Sequence, residues 1–123
     1  MEVIEKRKEL RRKIIETASS WVTGLNLKVT AVLIGSYARG DFNLWSDVDL
    51  LMVSTDFEGG PIERLKKLQI PAGFQVIPLT TEEFNRLLIR GEKMATEAFN
   101  SGIILRDDLK IFRRGGKADS NEK

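Results

Sequence analysis

Apolar residues at Ile4, Leu10, Ile14, Ala18 and Trp21/Val22 recur at helical spacing, which predicts a helix over residues 2–23 that Gly24 stops. The next apolar run has no such period. Lys28 to Ile34 (Lys-Val-Thr-Ala-Val-Leu-Ile) is short and β-branched, the pattern of a strand buried on both faces, and it ends abruptly at Gly35-Ser36. Asp47 through Val53 predicts a second strand. Gly59-Gly60-Pro61 opens a short helix with Ile62, Leu65 and Leu68 on one face, ended near Pro71. Phe74 to Ile77 reads as a third strand limited by Pro78, and Thr80 to Glu83 as a capping box that opens a helix through Phe84, Leu87 and Leu88. Gly91 interrupts, a helix covers roughly Met94 to Asn100, and Ile103-Ile104-Leu105 forms a last short strand. No internal repeat is present. The sum is a two- or three-layer αβ domain over residues 1–105, followed by a tail, 106–123, expected to be disordered from about Arg114 onward.

Composition narrows the chemistry more than the fold. The chain of 123 residues has neither cysteine nor histidine, so disulfides, thiolate or imidazole metal sites and histidine-based triads are excluded. Any catalysis falls to carboxylates, hydroxyls, Arg, Lys or a bound metal. No apolar stretch approaches the roughly 20 residues of a membrane span, and the charged start MEVIEKRKELRRK lacks a secretory signal, so a cytoplasmic protein is expected. Twenty Lys and Arg against eighteen Asp and Glu leave a net +2, too little to announce nucleic-acid binding. The basic run Lys6 to Lys13 is interleaved with Glu5 and Glu9 at helical spacing and reads as a solvated face. Arg113-Arg114 reads equally as a nucleic-acid contact or as part of a flexible tail.

The informative stretch is Gly35-Ser36-Tyr37-Ala38-Arg39-Gly40-Asp41, followed by Ser46-Asp47-Val48-Asp49-Leu50. Asp47 and Asp49 lie two apart at a strand start, so both project from one face, with Cα atoms roughly 6.6 to 6.8 Å apart. Carboxylate oxygens are the ligands Mg²⁺ prefers, usually one or two together with substrate phosphates. A glycine directly after a buried strand lets the backbone turn close to a ligand and frees N–H groups and the Ser36 hydroxyl for phosphate oxygens. Arg39 adds a charge-assisted contact, and a helical turn from Tyr37 to Gly40 would add anion affinity. Taken singly, each feature has a bland account: Gly-Ser turns are usually structural, and paired acids often guard a strand edge. Together, the four positions match by chance at on the order of one start in tens of thousands. The chain has neither the P-loop nor the dinucleotide-binding glycine pattern. Trp45 beside the acids reads as a packing residue rather than a base-stacking one.

Gly35-Ser36, ten residues, then Asp47-x-Asp49, with Ser46 before the first acid, resembles the DNA polymerase beta nucleotidyltransferase superfamily. It is most similar to the minimal nucleotidyltransferases of prokaryotes, the small partners of HEPN-domain proteins. The resemblance spans roughly residues 25–105 and implies an α/β (α+β) fold, a small mixed β-sheet flanked by helices. It implies nucleotide binding by Gly35, Ser36, Arg39 and Ser46, and Mg²⁺ binding and catalysis by Asp47 and Asp49, with two metals possible. A nucleoside monophosphate, AMP from ATP, is transferred as pyrophosphate leaves. The implied acceptor is a tyrosine of a HEPN-domain toxin, the chain being its antitoxin. One departure stands out: the family's third carboxylate, on the next strand, aligns with Gln75, which neither carries charge nor takes a proton. Asp41, Asp56 or a partner's acid is left to complete the site, or the chain is a binding module without chemistry. Only 18 residues follow Leu105, too few for a second helical domain, so another polypeptide is expected to supply the acceptor.

Overall fold

The computed structural model describes residues 2–112. They form α1 (Glu2–Thr23), β1 (Val29–Ile34), α2 (Ser36–Arg39), β2 (Val48–Ser54), α3 (Pro61–Lys66), β3 (Phe74–Leu79), α4 (Thr81–Arg90), α5 (Lys93–Asn100) and β4 (Ile103–Asp107). The four strands make one sheet in the order β3-β2-β1-β4. β1 runs antiparallel to β2 and β4, while β2 and β3 are parallel and joined through α3. This is the mixed sheet with flanking helices that the resemblance implied.

Side chains of a strand alternate between faces, so the sheet feeds two cores. Val29, Ala31 and Leu33 join Val48, Leu50 and Met52 beneath α1, which contributes Ala18 and Val22. Val32, Ile34, Leu51 and Val53 pack on the opposite face with Phe84 of α4 and Ala95 and Ala98 of α5. β1 is buried along its whole length, as its unbroken apolar run predicts. The C-terminal end of α1 has no basic residue in its last turn; Arg106 of β4 supplies the cation, donating to the carbonyls of Val22, Leu25 and Leu27.

Three expectations need correction. Ile62 does not face inward: it is exposed, and Arg64 takes the buried position in α3. The six-residue helix is under two turns long, and Arg64 is fully engaged there by Glu83 and the carbonyls of Gly59 and Pro78. Pro78 does not end the third strand, because β3 is an edge strand where a missing N–H is tolerated. Nor does the fold stop at Leu105. β4 continues to a buried Asp107, which accepts from the Thr30 hydroxyl and from the N–H groups of Ile111 and Phe112. Phe112 then closes the second core against Phe84 and Phe99. The expected disorder from Arg114 and the Arg113-Arg114 pair lie outside the described residues. Among the described residues, no helix is long and apolar enough to cross a membrane.

Candidate active site

β1 delivers the chain to the end of the sheet, where Gly35 adopts φ 79° and ψ −158°. That region is essentially open to glycine alone. A Cβ on Gly35 would lie 2.5 Å from Oδ2 of Asp49, so the glycine is what lets the turn rest against that carboxylate. Ser36 then begins α2, a single turn closed by Arg39 N–H to Gly35 O at 3.0 Å and Gly40 N–H to Ser36 O at 2.7 Å. From the other side, Arg11 of α1 donates to the carbonyls of Tyr37 and Ala38, both at 2.7 Å. Arg7 reaches the Phe42 carbonyl and lies 4.5 Å from its ring centre. The basic run on α1 is therefore only partly a solvated face. Arg12, between Glu9 and Glu16, fits that description, whereas Arg7 and Arg11 fasten the site's loop to the helix.

Asp47 precedes β2 and is exposed; Asp49 is the second residue of the strand and half-buried. Two-residue spacing puts them on one face. Burial first, then the charges of Asp47 and Glu97, push the Asp49 carboxyl above its usual range, with Arg39 opposing. In the parallel ladder Gln75 is the register partner of Asp49. The glutamine thus lies beside Asp49 on the neighbouring strand.

The loop leading to the acids is a tight turn. Ser46 Oγ accepts the Asn43 N–H at 2.9 Å, and Asn43 Oδ1 accepts the Trp45 N–H at 2.8 Å. Ser46 is therefore first a turn-building residue, and its hydroxyl donates to no protein group among the described residues. Trp45 has no packing role: it is 89 % exposed, with Leu44 beside it at 77 %. The turn holds both side chains outward.

Arg39 is pinned twice, Nε to Asp41 at 3.2 Å and Nη1 to Glu97 at 2.5 Å. Glu97, on α5, also accepts the Gly35 N–H at 2.9 Å. Sequence reasoning expected that N–H to be free for phosphate; it is taken by a carboxylate of this chain. The Ser36 hydroxyl, by contrast, has no protein partner among the described residues. Of the acids held in reserve, Asp41 pairs with Arg39, and Asp56 lies at the far end of the sheet, accepting the Lys28 N–H. Glu97 is the acid that reaches the site, and no motif spacing singles it out. Its signal in the sequence is faint: a glutamate between two alanines that α5 buries, Ala95 and Ala98.

Among the described residues no three His, Cys, Asp or Glu side chains converge as a metal cage. Two adjacent carboxylates nevertheless fit Mg²⁺, a hard cation that commonly takes one or two protein oxygens and fills its shell with water and phosphate. The raised Asp49 carboxyl fits the same assignment, since a cation would relieve the crowding of like charge.

The Gly35-Ser36 turn and the two acids thus meet at one end of the two central strands of a mixed α+β fold. Residues 5–96 match the family model described as a nucleotidyltransferase domain, and the chain belongs to that family. Its fold is similar to the crystal structure of a Sulfolobus solfataricus protein provisionally assigned as a nucleotidyltransferase, with TM-score 0.53 and 20 % identity over 85 % of this chain and 86 % of that one. No curated relative matches the chain.

Proposed function

We propose that this chain is a Mg²⁺-dependent nucleotidyltransferase that moves AMP from ATP to a tyrosine of a HEPN-domain toxin, and so acts as its antitoxin. The observation that carries the reading is the Gly35 turn laid against Asp49, with Asp47 two residues earlier on the same face. Asp47 and Asp49 would hold Mg²⁺, which neutralises charge on the triphosphate and polarises its α-phosphorus. The Ser36 and Ser46 hydroxyls, the Gly35 turn and Arg39 bind and orient the phosphates. The acceptor hydroxyl gives its proton to solvent, its oxygen bonds to the α-phosphorus, the bond from that phosphorus to the bridging oxygen breaks, and pyrophosphate departs with the electron pair.

The acceptor's proton decides which hydroxyl suits the site. Gln75 accepts no proton, so an acceptor that depends on a strong general base is poorly served. A phenol, with pKa about 10, sheds its proton far more readily than an aliphatic alcohol. That favours tyrosine. The exposed Trp45 and Leu44, beside Asp47, offer an apolar rim against which a segment of the acceptor protein docks. The need for ATP puts the proposed reaction in the cytoplasm, and the catalytic domain expected over residues 1–105 takes in the end of β4 and Phe112, which completes its second core.

Gln75 beside Asp49 also supports a second reading, a nucleotidyltransferase-like module that binds and neutralises its partner without chemistry. Mass spectrometry of a candidate HEPN partner, after incubation with Mg²⁺-ATP, separates the two. The enzyme adds one AMP to the partner and loses that ability as Asp47→Asn. A tight complex with no mass change identifies the binding module.

A further inference from the structure

Glu97 belongs to none of the motifs, yet it contacts two of the elements assigned to the nucleotide. We propose that Glu97 is a positioning residue for the nucleotide's phosphates, acting through Arg39 and the Gly35 turn; this rests on the nucleotidyl-transfer reading. One oxygen, Oε2, serves both: it takes the Gly35 N–H at 2.9 Å and Arg39 Nη1 at 2.5 Å. Its side chain is 14 % exposed, against 41 % for Arg39, so the carboxylate is the fixed member of the pair and the guanidinium the outer one. α5 anchors it, because Ala95 and Ala98 on either side are packed against the sheet.

The consequence for Arg39 is geometric. A free arginine must surrender rotamer freedom to meet a phosphate, and one held beforehand does not. Asp41 holds Nε and Glu97 holds Nη1, which fixes the guanidinium plane and leaves Nη2 without a protein partner among the described residues. The consequence for Gly35 is conformational. Its backbone lies in a region few residues visit, against Asp49, and the bond to Glu97 is a tether that keeps the turn there. Glu97 acts through the two groups it holds.

The test is a double-mutant cycle on Mg²⁺-ATP binding by the full chain, read by calorimetry. Glu97→Gln keeps an oxygen for the Gly35 N–H but withdraws the charge from Arg39. It is expected to weaken Mg²⁺-ATP about tenfold, Arg39→Ala at least as much, and the double variant no more than Arg39→Ala alone. A merely structural glutamate would give additive losses, because its effect would not pass through Arg39. Additive losses, an unchanged affinity, or tighter binding by Glu97→Gln (a carboxylate competing with phosphate for Arg39) each overturn the proposal. Should Glu97→Gln not fold, judged by circular dichroism, Glu97→Asp replaces it: its shorter reach withdraws the oxygen from both Arg39 and the Gly35 N–H, a loss of about tenfold or more is expected, and an unchanged or tighter affinity overturns the proposal. A wild-type chain that fails to bind Mg²⁺-ATP at all overturns the nucleotidyl-transfer reading itself, and this inference with it.

Discussion

Glu83, at the start of α4, and Asp49, in β2, are carboxylates of one small fold in opposite circumstances. Glu83 closes the capping box with Thr80 and receives both terminal nitrogens of Arg64, at 2.7 and 3.2 Å. Arg64 and the Thr80 N–H hold its carboxyl well down, at about 2. Asp49 is pushed the other way, by burial and by two more acids, Asp47 and Glu97. The cation that opposes this shift, Arg39, is already shared between Asp41 and Glu97. The first carboxylate is balanced within the chain and serves the fold. The second sits among acids that Arg39 offsets only in part, the circumstance that supports the cation site proposed above.

Removing a partner on the balanced side should have the largest effect on stability. Arg64→Ala strands Glu83 and empties a buried position, and is expected to cost about 3 kcal/mol in denaturant unfolding while leaving Mg²⁺-ATP affinity within twofold. Gly35→Ala strikes the other side. It forces a side chain into a glycine-only conformation and onto Asp49, so a loss of about 2 kcal/mol should accompany loss of Mg²⁺-ATP binding by calorimetry. Retained binding in Gly35→Ala would separate the turn from the site.

Acid titration sharpens the contrast by sign. A carboxyl at about 2 when folded and about 4.5 when unfolded adds stability above pH 4.5 that is lost as pH falls from about 4.5 towards 2. Discounted for the partial exposure of Glu83, that is about 1–2 kcal/mol, and Glu83→Gln should flatten this part of a pH-dependent unfolding series.

The two regions were also unequally legible in the sequence. The Thr80–Glu83 capping box is local, four residues whose chemistry is set by helix-start geometry, and it formed as read. The pairing of Arg64 with Glu83 joins α3 to α4 across the β3 edge, and no short-range period encodes it; apolar periodicity instead chose Ile62, which is exposed. At the site, the Gly-Ser turn and the acid pair were readable because one glycine and a two-residue spacing fix them. Register sets Gln75 opposite Asp49, a pairing that strand alignment alone does not establish. Glu97 was not readable, since its meeting with Gly35 depends on how α5 lies across β1. Trp45 was misread because an aromatic next to a strand usually packs, whereas the Asn43–Ser46 turn points it outward.

The smallest expected effect tests the central claim most directly, that Asp49 is held in unfavourable charge for the sake of a cation. With its folded carboxyl raised, ionised Asp49 is a net cost at neutral pH, because the benefit of a raised carboxyl is lost as pH climbs through its folded value. Thermal unfolding of wild type and Asp49→Asn at pH 7, each with and without Mg²⁺-ATP, reads both halves of the claim. Without ligand, Asp49→Asn should melt about 2 °C above wild type. With Mg²⁺-ATP, wild type should rise by several degrees at saturating ligand and Asp49→Asn should not move. An Asp49→Asn chain that melts lower than wild type, or that gains as much from Mg²⁺-ATP, would contradict the account.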